Sequence, residues 1–162
     1  MKKVKIVEVG LRDGLQNEST ILTVEQRFDL YEKLASAGLK NIEVGAFVSA
    51  KWVPQMAVTG ELVGLILPDL EKRKIKPQIS VLVPNEQGML AAIEAGLKEV
   101  AIFAACSETF SQKNINCSIQ ESFERFVPVL GLAKKFKLKV RGYLSTCFGC
   151  PFEGKISQKK VI

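Results

Sequence analysis

Short apolar runs alternate with longer amphipathic segments along the whole chain. Five runs are rich in Val, Ile and Phe and contain few polar residues: residues 5–9, 41–44, 78–83, 99–104 and 139–144. Continuous apolar runs of this length, without regular polar alternation, are typical of parallel strands that are buried on both faces. The pattern therefore predicts five buried strands.

The segments between these runs have the spacing of helices. Apolar residues recur at intervals of three and four from Val24 onward and again from Ile119 onward, which places them on one helix face. Cap residues precede three of the segments: Thr23 with Gln26, Asn85, and Ser118 with Glu121. The two pairs have the spacing of a capping box. Residues 59–74 form the least regular segment, because two glycines and a proline disfavour a helix there.

Strands and helices that alternate in this way predict an α/β fold. Five strands and four connecting segments imply right-handed crossovers, either in a doubly wound sheet or in a barrel. Polar residues collect around successive strand ends, where barrel enzymes place their active sites: Arg12, Asp13, Glu43, Asn85, Ser107 and Ser145. No Gly-x-Gly-x-x-Gly turn follows the first run, which disfavours a dinucleotide-binding sheet. We therefore predict a partial TIM (β/α)8 barrel with about the first five strands and four helices.

The length of the chain limits this barrel. With 162 residues the chain fits one domain, whereas a complete barrel has eight strands and usually about 250 residues. Five strands leave two open edges and an uncovered apolar face, which is an aggregation hazard. Residues 1–162 are therefore expected to form a single incomplete barrel domain, either truncated or dependent on a complementary part.

The excess of positive charge is assigned first to helix ends. The formal net charge is +6, and basic residues gather in three groups: residues 72–76, 134–139 and 155–160. The first two groups lie where predicted helices end, so complementation of the helix dipole and a solvated face explain them. A phosphate-bearing small substrate is the next alternative. Nucleic acid is not expected as a partner, since no aromatic residues are interleaved with the lysines.

No membrane or export segment is predicted. The longest apolar stretches, such as residues 101–106, are much shorter than the roughly 20 residues that span a bilayer. The first residues run directly into the first apolar run and lack the apolar core of a signal peptide. We therefore expect a cytoplasmic protein whose four cysteines are free thiols. Cys147 and Cys150 form a Cys-x-x-Cys pair, but the further ligands of a zinc site do not accompany it.

The residues best suited to chemistry follow the first apolar run. Arg12, Asp13 and Gln16 come directly after residues 5–9, and the chain contains no histidine. A cation, a carboxylate and an amide at one strand end suit enolate chemistry beside a metal ion. Without imidazole, a metal site in this chain depends on oxygen ligands, which suit Mg²⁺ or Mn²⁺. Glu43 stands inside an otherwise apolar run, where burial is costly without a partner, so a functional role is expected for it.

Four longer blocks of the sequence resemble one enzyme family. They are residues 7–18, residues 47–56 with Trp-Val-Pro-Gln-Met, residues 113–126 with Asn-Ile-Asn-Cys-Ser-Ile, and residues 140–155 with Gly-Cys-Pro-Phe-Glu-Gly. Through these blocks the chain resembles the N-terminal part of the 3-hydroxy-3-methylglutaryl-CoA lyases over essentially its whole length. The resemblance implies a metal-dependent barrel enzyme that cleaves its acyl-CoA substrate to acetyl-CoA and acetoacetate. Related condensing enzymes share the Arg-Asp pair, but they usually carry an acidic residue where Leu15 stands here.

The resemblance also implies roles for individual residues. Asp13 is implied to be a metal ligand that helps to deprotonate the substrate hydroxyl, and Arg12 is implied to stabilise the enolate oxygen. Gln16 and Glu43 are implied to orient the substrate or the groups around it. Arg12, Asp13 and Glu43 are therefore the predicted catalytic residues, with Arg12 and Gln16 also predicted to bind substrate.

Further substrate contacts are predicted with plainer alternatives beside them. Lys113 and Asn114 are implied to touch the CoA tail, although an exposed polar loop accounts for them equally well. Tyr143 is a predicted substrate contact as well. Arg141 and Tyr143 also fit an internal ion pair and a packed ring, because side chains fill the interior of most barrels.

The resemblance places part of the expected site outside this chain. The family's His-x-His metal ligands, a further asparagine ligand and a cysteine on a mobile loop are implied to lie beyond residue 162. The divalent ion, Mg²⁺ or Mn²⁺, is then expected to need the missing C-terminal half, and the chain alone is expected to be inactive. Two alternatives stay open: a non-catalytic half barrel that associates with itself or a complementary chain, and a related acyl-CoA condensing enzyme.

Overall fold

The computed structural model describes residues 4–162, which form a parallel sheet flanked by helices. The four strands are β1 (Asn41–Ala46), β2 (Gln78–Leu82), β3 (Glu99–Ala105) and β4 (Lys139–Ser145). The described residues form six α-helices: α1 (Val24–Ser36), α2 (Thr59–Lys72), α3 (Glu86–Glu94), α4 (Glu108–Ile115), α5 (Ile119–Phe136) and α6 (Gln158–Val161). The chain also forms a π-helical turn, Gly10–Gly14, and a 3₁₀ turn, Pro54–Met56.

The sheet is wound in one direction. Its order is β1-β2-β3-β4, so each strand lies beside its neighbour in sequence, and all three pairs are parallel. A doubly wound sheet instead reverses its strand order at a switch point. The unbroken order is that of a barrel wall, and the predicted α/β series of strands and helices is confirmed.

The prediction of a complete first strand at residues 5–9 is wrong. Residues 5–9 form a single parallel bridge, between Glu8 and Ile42, with backbone hydrogen bonds to β1 on either side of it. Val4 and Ile6 are 89% and 76% exposed, because nothing in the described part of the chain packs on them. The segment runs beside β1 where a first barrel strand belongs, but the described residues form four strands and not five.

Burial decreases from the centre of the sheet to its last strand. β1, β2 and β3 are almost fully buried, as predicted, and Val44, Val81 and Val100 have no exposed surface. The residues of β4 are half-buried or exposed, and Leu144 is 42% exposed. The prediction of burial on both faces is therefore wrong for β4, which forms an edge of the sheet within residues 4–162.

The predicted cap residues start three of the helices. The hydroxyls of Thr23 and Ser118 accept hydrogen bonds from the amides of Gln26 and Glu121, whose side chains bond back to the cap amides. Both capping boxes are therefore confirmed. Asn85 caps α3 through its side chain, as its position in the sequence predicted.

Other helical segments differ from the prediction. α2 is continuous despite its glycines and proline, because Leu62, Val63 and Ile66 are fully buried in the core and burial outweighs weak intrinsic propensity. α4 forms where a polar loop was one expectation, and the Ser107 hydroxyl caps its first turn. None of the helices described here is both long enough and apolar enough to cross a bilayer.

A β-bulge in β1 packs the sheet closely against α1 and α2. The register with β2 shifts between Glu43 and Gly45, so Val44 has no register partner in β2. A Cβ atom at Gly45 would lie 2.6 Å from the Thr59 hydroxyl and 3.1 Å from a guanidinium nitrogen of Arg27. Position 45 therefore requires glycine because other atoms approach its backbone closely.

Replacing Gly45 by alanine is expected to destabilise the chain by about 1–3 kcal/mol, because the added methyl group overpacks this contact. Gly131 offers a matched control, since it lies inside α5 and an added Cβ meets no atom within 4 Å. Gly131→Ala is expected to stabilise the chain by about 1 kcal/mol through helix propensity. Urea unfolding followed by circular dichroism measures both changes, and wild-type stability of Gly45→Ala would contradict the close packing.

Candidate active site

A π-helical turn presents Arg12 and Asp13 beside the start of the sheet. The Val9 carbonyl accepts hydrogen bonds from the amides of Arg12 (3.0 Å), Asp13 (2.8 Å) and Gly14 (3.3 Å). One carbonyl therefore gathers three amides and turns the chain tightly, a geometry that is frequent at functional sites. Only 8% of the surface of Arg12 is exposed, whereas the Asp13 side chain is 58% exposed. The turn thus directs the cation inward and the carboxylate outward.

A buried carboxylate holds the Arg12 side chain. Glu43 lies within β1 and has no exposed surface. Its Oε1 accepts a hydrogen bond from Arg12 Nε at 2.6 Å. Its Oε2 accepts from Arg141 Nη2 at 2.6 Å and from the Tyr143 hydroxyl at 2.9 Å. Both oxygens are hydrogen-bonded and charge-paired, which offsets the desolvation of the buried charge.

The partners of Glu43 come from several strands and meet on one face of the sheet. Glu43 is in register with Ser80 of β2, and Arg141 Nη2 also donates to Ser80 Oγ at 3.2 Å. Arg141 Nη1 donates to the Tyr143 hydroxyl at 2.8 Å. The guanidinium groups of Arg141 and Arg12 lie 4.6 Å and 5.6 Å from the centre of the Tyr143 ring. These residues are called the Glu43 cluster below: Arg12, Glu43, Ser80, Arg141 and Tyr143.

A second polar group adjoins this cluster on the sheet. Lys5 Nζ donates to Gln78 Oε1 at 3.2 Å and to Glu99 Oε1 at 3.3 Å, and Gln78 also bonds to Glu99. Arg141 Nε lies 4.0 Å from Glu99 Oε1 and has no hydrogen-bond partner among the described residues. Arg141 therefore connects the two groups through a longer charge contact.

Charge pairing shifts the pKa values of two residues in the Glu43 cluster. Burial acts to lower the pKa of Arg12, but the carboxylates of Glu43 and Asp13 outweigh it, so the pKa is raised above the ordinary arginine value. Burial raises the pKa of Tyr143, and the Glu43 carboxylate raises it further, while Arg141 opposes both. At neutral pH Arg12 is therefore a permanent cation, and Tyr143 is a neutral hydrogen-bond donor.

Asp13 is the carboxylate of this site that is open to a metal ion. Its Oδ1 accepts a hydrogen bond from Arg12 Nη1 at 2.7 Å, while both oxygens of Glu43 are engaged by the cluster. Within residues 4–162 no three His, Cys, Asp or Glu side chains converge on a position for a metal ion. A hard divalent cation prefers six or more oxygen ligands. The described residues therefore fit such an ion only as the source of one carboxylate ligand, Asp13.

The remaining candidates from the sequence lie apart from the Glu43 cluster. Gln16 follows the π-helical turn and is exposed. Lys113 and Asn114 are exposed on α4 and not in a loop, and Lys113 Nζ lies 3.9 Å from the centre of the Phe152 ring. The hydrogen bonds that hold the cluster together involve none of these three residues. Their substrate contacts stay predictions.

Two residues of this region were not among the sequence candidates. Ser80 interrupts the apolar run of β2, and Arg27 stands on the apolar face of α1, beside Phe28. A polar residue at a position predicted to be buried was the signal that singled out Glu43, and the same signal marks both residues. Arg141 and Tyr143, for which support and substrate contact were both considered, form an internal ion pair and a hydrogen-bonded ring.

The Cys-x-x-Cys pair does not face a common ligand. Cys147 Sγ donates to the Leu144 carbonyl at 2.9 Å, while Cys150 Sγ accepts from the Ser107 hydroxyl at 3.0 Å. Cys106 lies 4.0 Å from Cys147, measured between the sulfur atoms, and the four cysteines are free thiols. These thiols are accounted for by local packing and hydrogen bonding.

The fold and the polar cluster define the class of protein. A parallel sheet whose four strands follow one another in sequence order, with a cluster of charged side chains on one face, fits part of an α/β-barrel enzyme. The family model described as HMGL-like matches residues 3–162. The chain belongs to this family.

Curated relatives cover the chain almost completely. The 3-hydroxy-3-isohexenylglutaryl-CoA/hydroxy-methylglutaryl-CoA lyase of Pseudomonas aeruginosa is 51% identical over 160 residues, which are 99% of this chain and 52% of the relative. The mitochondrial hydroxymethylglutaryl-CoA lyase of Homo sapiens is 52% identical over 162 residues, which are 99% of this chain and 48% of the relative. The chain therefore spans about half the length of the curated relatives it matches.

Solved structures agree with this partial coverage. The crystal structure of hydroxymethylglutaryl-CoA lyase from Pseudomonas aeruginosa superposes with a TM-score of 0.89 at 51% identity and covers 99% of this chain and 52% of its own. The structure of an HMG-CoA lyase from Acinetobacter baumannii, in complex with coenzyme A and 3-methylmalate, gives a TM-score of 0.84 at 33% identity. The match covers 96% of this chain and 49% of the chain of that structure. The predicted partial TIM barrel is thereby confirmed.

Replacing Glu43 by glutamine is expected to destabilise the chain by about 3–5 kcal/mol, because Arg12 and Arg141 would then lie close together without the buried negative charge. Asp13→Asn is the matched control, since it neutralises a carboxylate that is mostly exposed, and it is expected to cost less than about 1 kcal/mol. Urea unfolding measures both variants. Equal losses of stability would contradict the central position of Glu43 in this cluster.

Proposed function

We propose that this chain supplies the N-terminal half of the catalytic barrel of a CoA-ester lyase that cleaves 3-hydroxy-3-methylglutaryl-CoA to acetyl-CoA and acetoacetate. The observation that carries the proposal is the Arg12 guanidinium, held by buried Glu43 at 2.6 Å beside an exposed Asp13. The family and the activities of the curated relatives support it. Because the chain spans about half of those relatives, the activity is proposed for a complete barrel and not for the chain alone.

Arg12 is proposed to stabilise the enolate. Cleavage of the carbon–carbon bond releases acetyl-CoA as an enolate, so negative charge grows on its oxygen in the transition state. Nε and Nη1 of Arg12 are bound to Glu43 and Asp13, and Nη2 has no partner among the described residues. A cation whose position is already fixed stabilises developing charge without reorganising during the reaction. The raised pKa of Arg12 keeps that charge in place at any working pH.

Asp13 is proposed to supply one ligand to Mg²⁺ or Mn²⁺ and to help remove the proton of the substrate hydroxyl. A bound divalent ion would polarise the tertiary alcohol and the neighbouring carbonyl of the substrate. The exposed Asp13 side chain, which makes an ion pair through one oxygen, suits a carboxylate ligand. The other ligands are proposed to come from the C-terminal half of the barrel.

Substrate contacts are proposed for Tyr143 of the cluster and for three exposed residues that lie apart from it: Gln16, Lys113 and Asn114. The Lys113 ammonium suits a phosphate of CoA, and the exposed amides of Gln16 and Asn114 suit polar groups of the acyl chain or the cofactor tail. The Tyr143 hydroxyl already donates to Glu43 and accepts from Arg141. A contact of Tyr143 with substrate is therefore proposed to use its ring.

Association through the open edge is a second candidate function. β4 pairs only with β3 among the described residues, and α5 exposes 51% of Phe123 and 68% of Val127. The partner proposed for this surface is the complementary half of the barrel, with a second copy of the chain as the alternative. Size-exclusion chromatography with light scattering is expected to show self-association of the chain alone. A monodisperse monomer would contradict an exposed sheet edge that promotes association.

The proposed reaction is tested on a chimera that joins residues 1–162 to the C-terminal half of the Pseudomonas aeruginosa lyase, called the completed barrel below. It is expected to release acetoacetate from 3-hydroxy-3-methylglutaryl-CoA in the presence of Mg²⁺. Arg12→Ala is expected to lower kcat by about 10²–10³-fold, the loss typical of removing one group that stabilises an oxyanion. Lys33→Met is the matched control, because Lys33 is an exposed cation on α1.

Two outcomes of this experiment would contradict the proposal. Unchanged turnover in Arg12→Ala would remove Arg12 from the reaction. A folded completed barrel that does not cleave the substrate would contradict the lyase assignment itself. Assaying condensation as well as cleavage on the same protein distinguishes the related condensing enzyme, for which condensation would be the faster direction.

A further inference from the structure

Arg27 is a cation buried in the core without an acidic partner. It lies on α1, has no exposed surface, and forms no ion pair with an Asp or Glu of residues 4–162. Burial lowers its pKa to about 10, which still leaves it charged at neutral pH. A buried charge is costly unless polar groups compensate it. The hydrogen-bond partners of the Arg27 guanidinium therefore indicate which segments its charge stabilises.

Three backbone carbonyls pair with the Nη atoms of Arg27, while its buried Nε has no hydrogen-bond partner among the described residues. Nη2 donates to the carbonyls of Leu11 (3.1 Å) and Val44 (2.8 Å), and Nη1 donates to that of Gln55 (2.9 Å). These carbonyls belong to three segments: the π-helical turn, β1 and the 3₁₀ turn. A guanidinium is planar and its N–H groups point in fixed directions. One side chain thus sets the relative positions of three segments.

Two of these carbonyls adjoin the ion pair of the candidate site. Leu11 directly precedes Arg12, and Val44 directly follows Glu43. A single nitrogen of Arg27 therefore bridges the carbonyls of the residue before Arg12 and the residue after Glu43, the two partners of the 2.6 Å contact. Val44 is also the bulge residue without a register partner in β2. Bulges next to active sites commonly serve to aim a side chain.

The surroundings leave the Arg27 guanidinium little room to move. A Cβ built on Gly45 would lie 3.1 Å from Nη2, so only glycine allows the backbone of β1 to come this close. On the other side, Gln55 Nε2 donates to the Glu18 carbonyl at 2.8 Å, which ties the segment after the π-helical turn to the same assembly. The Arg27 guanidinium is therefore held between the backbone of β1 at Gly45 and the segment that contains Gln55.

We propose that Arg27 is a positioning residue that sets the spacing between Arg12 and Glu43 and so aims the Arg12 guanidinium. Its effect on the reaction rests on the proposed function, whereas its effect on the ion pair concerns this chain alone. A purely structural residue here would not need a charge, because an apolar side chain packs on the inner face of α1 at a lower desolvation cost. Electrostatic stabilisation requires placed charges, and a misplacement of about 1 Å costs about 10²-fold in rate.

The turnover of Arg27→Met in the completed barrel tests this inference. Methionine keeps an unbranched chain but has no N–H donor, so kcat is expected to fall about 10²-fold while KM changes less than about 3-fold. Arg27→Lys keeps the charge and three donors but not the planar arrangement of two nitrogens, so it is expected to recover part of the loss. Lys33→Met, on the exposed face of α1, is the matched control for removing a cation from this helix. Leu62→Ala, buried in α2, controls for lost stability alone.

A second readout follows the Arg12 side chain without requiring turnover. In protein labelled with ¹⁵N on arginine, the Arg12 Nε–H that is bonded to Glu43 is expected to exchange slowly with solvent. Its signal is identified by its absence in Arg12→Lys. In Arg27→Met the signal is expected to shift and to exchange faster, whereas in Leu62→Ala it is expected to stay where it is. This measurement separates the inference from the proposed function.

Each outcome tests either the role of Arg27 or the proposed function. Wild-type kcat with an unchanged Arg12 signal in folded Arg27→Met would overturn the inference, and so would a loss of kcat no greater than that of Leu62→Ala at equal thermal stability. If Arg27→Met does not fold, Arg27→Gln, which keeps N–H donors without the charge, is measured in the same way and judged by the same results. If the folded wild-type completed barrel does not turn over, the proposed function fails and the Arg12 signal alone decides the role of Arg27.

Discussion

The candidate site depends on one buried carboxylate. Glu43 has no exposed surface, so its charge is stable only because two guanidinium groups and a phenol surround its oxygens. The dependence is mutual, since Arg12 and Arg141 approach the same Tyr143 ring and would repel each other without Glu43 between them. These contacts join the π-helical turn to β1 and β4, which are distant in sequence. A single ion in β1 therefore links the wall of the barrel to the residues proposed to act on substrate.

The backbone around Glu43 is as constrained as its side chain. The bulge at Val44 changes the register immediately after Glu43, and Gly45 lets Thr59 and Arg27 approach the strand closely. Arg27 then reaches across to the peptide unit that precedes Arg12. Strand, turn and helix are thus fixed together by a glycine, a bulge and a buried cation. Such a clamp holds a guanidinium in place before substrate binds, which is the condition for electrostatic stabilisation of a transition state.

Local patterns allowed much of this structure to be predicted from the sequence. The capping boxes and the runs that form β1, β2 and β3 depend on neighbouring residues, so they could be identified without knowing the fold. Residues 5–9 and β4 were predicted less well, because an apolar run is buried only where another element covers it. Arg12, Asp13 and Glu43 stood out as polar residues beside or inside such runs. Arg27 carried the same signal on the apolar face of α1, but its partners could not be predicted, because they are backbone carbonyls of three segments.

The described residues suit one part of the proposed reaction. The Glu43 cluster is rich in fixed positive charge, which suits the negative charge of a departing enolate. In the proposed reaction, a divalent ion that polarises the alcohol would need further oxygen or nitrogen ligands, and within residues 4–162 Asp13 is the carboxylate of this site that remains open for one. The edge of β4 has the corresponding structural need, since its apolar residues are covered on one side only. Completing the sheet beyond β4 would bring new strand ends to the rim where Asp13 lies. The strands that would cover the edge of β4 are therefore also the ones that would supply the remaining groups of the proposed reaction.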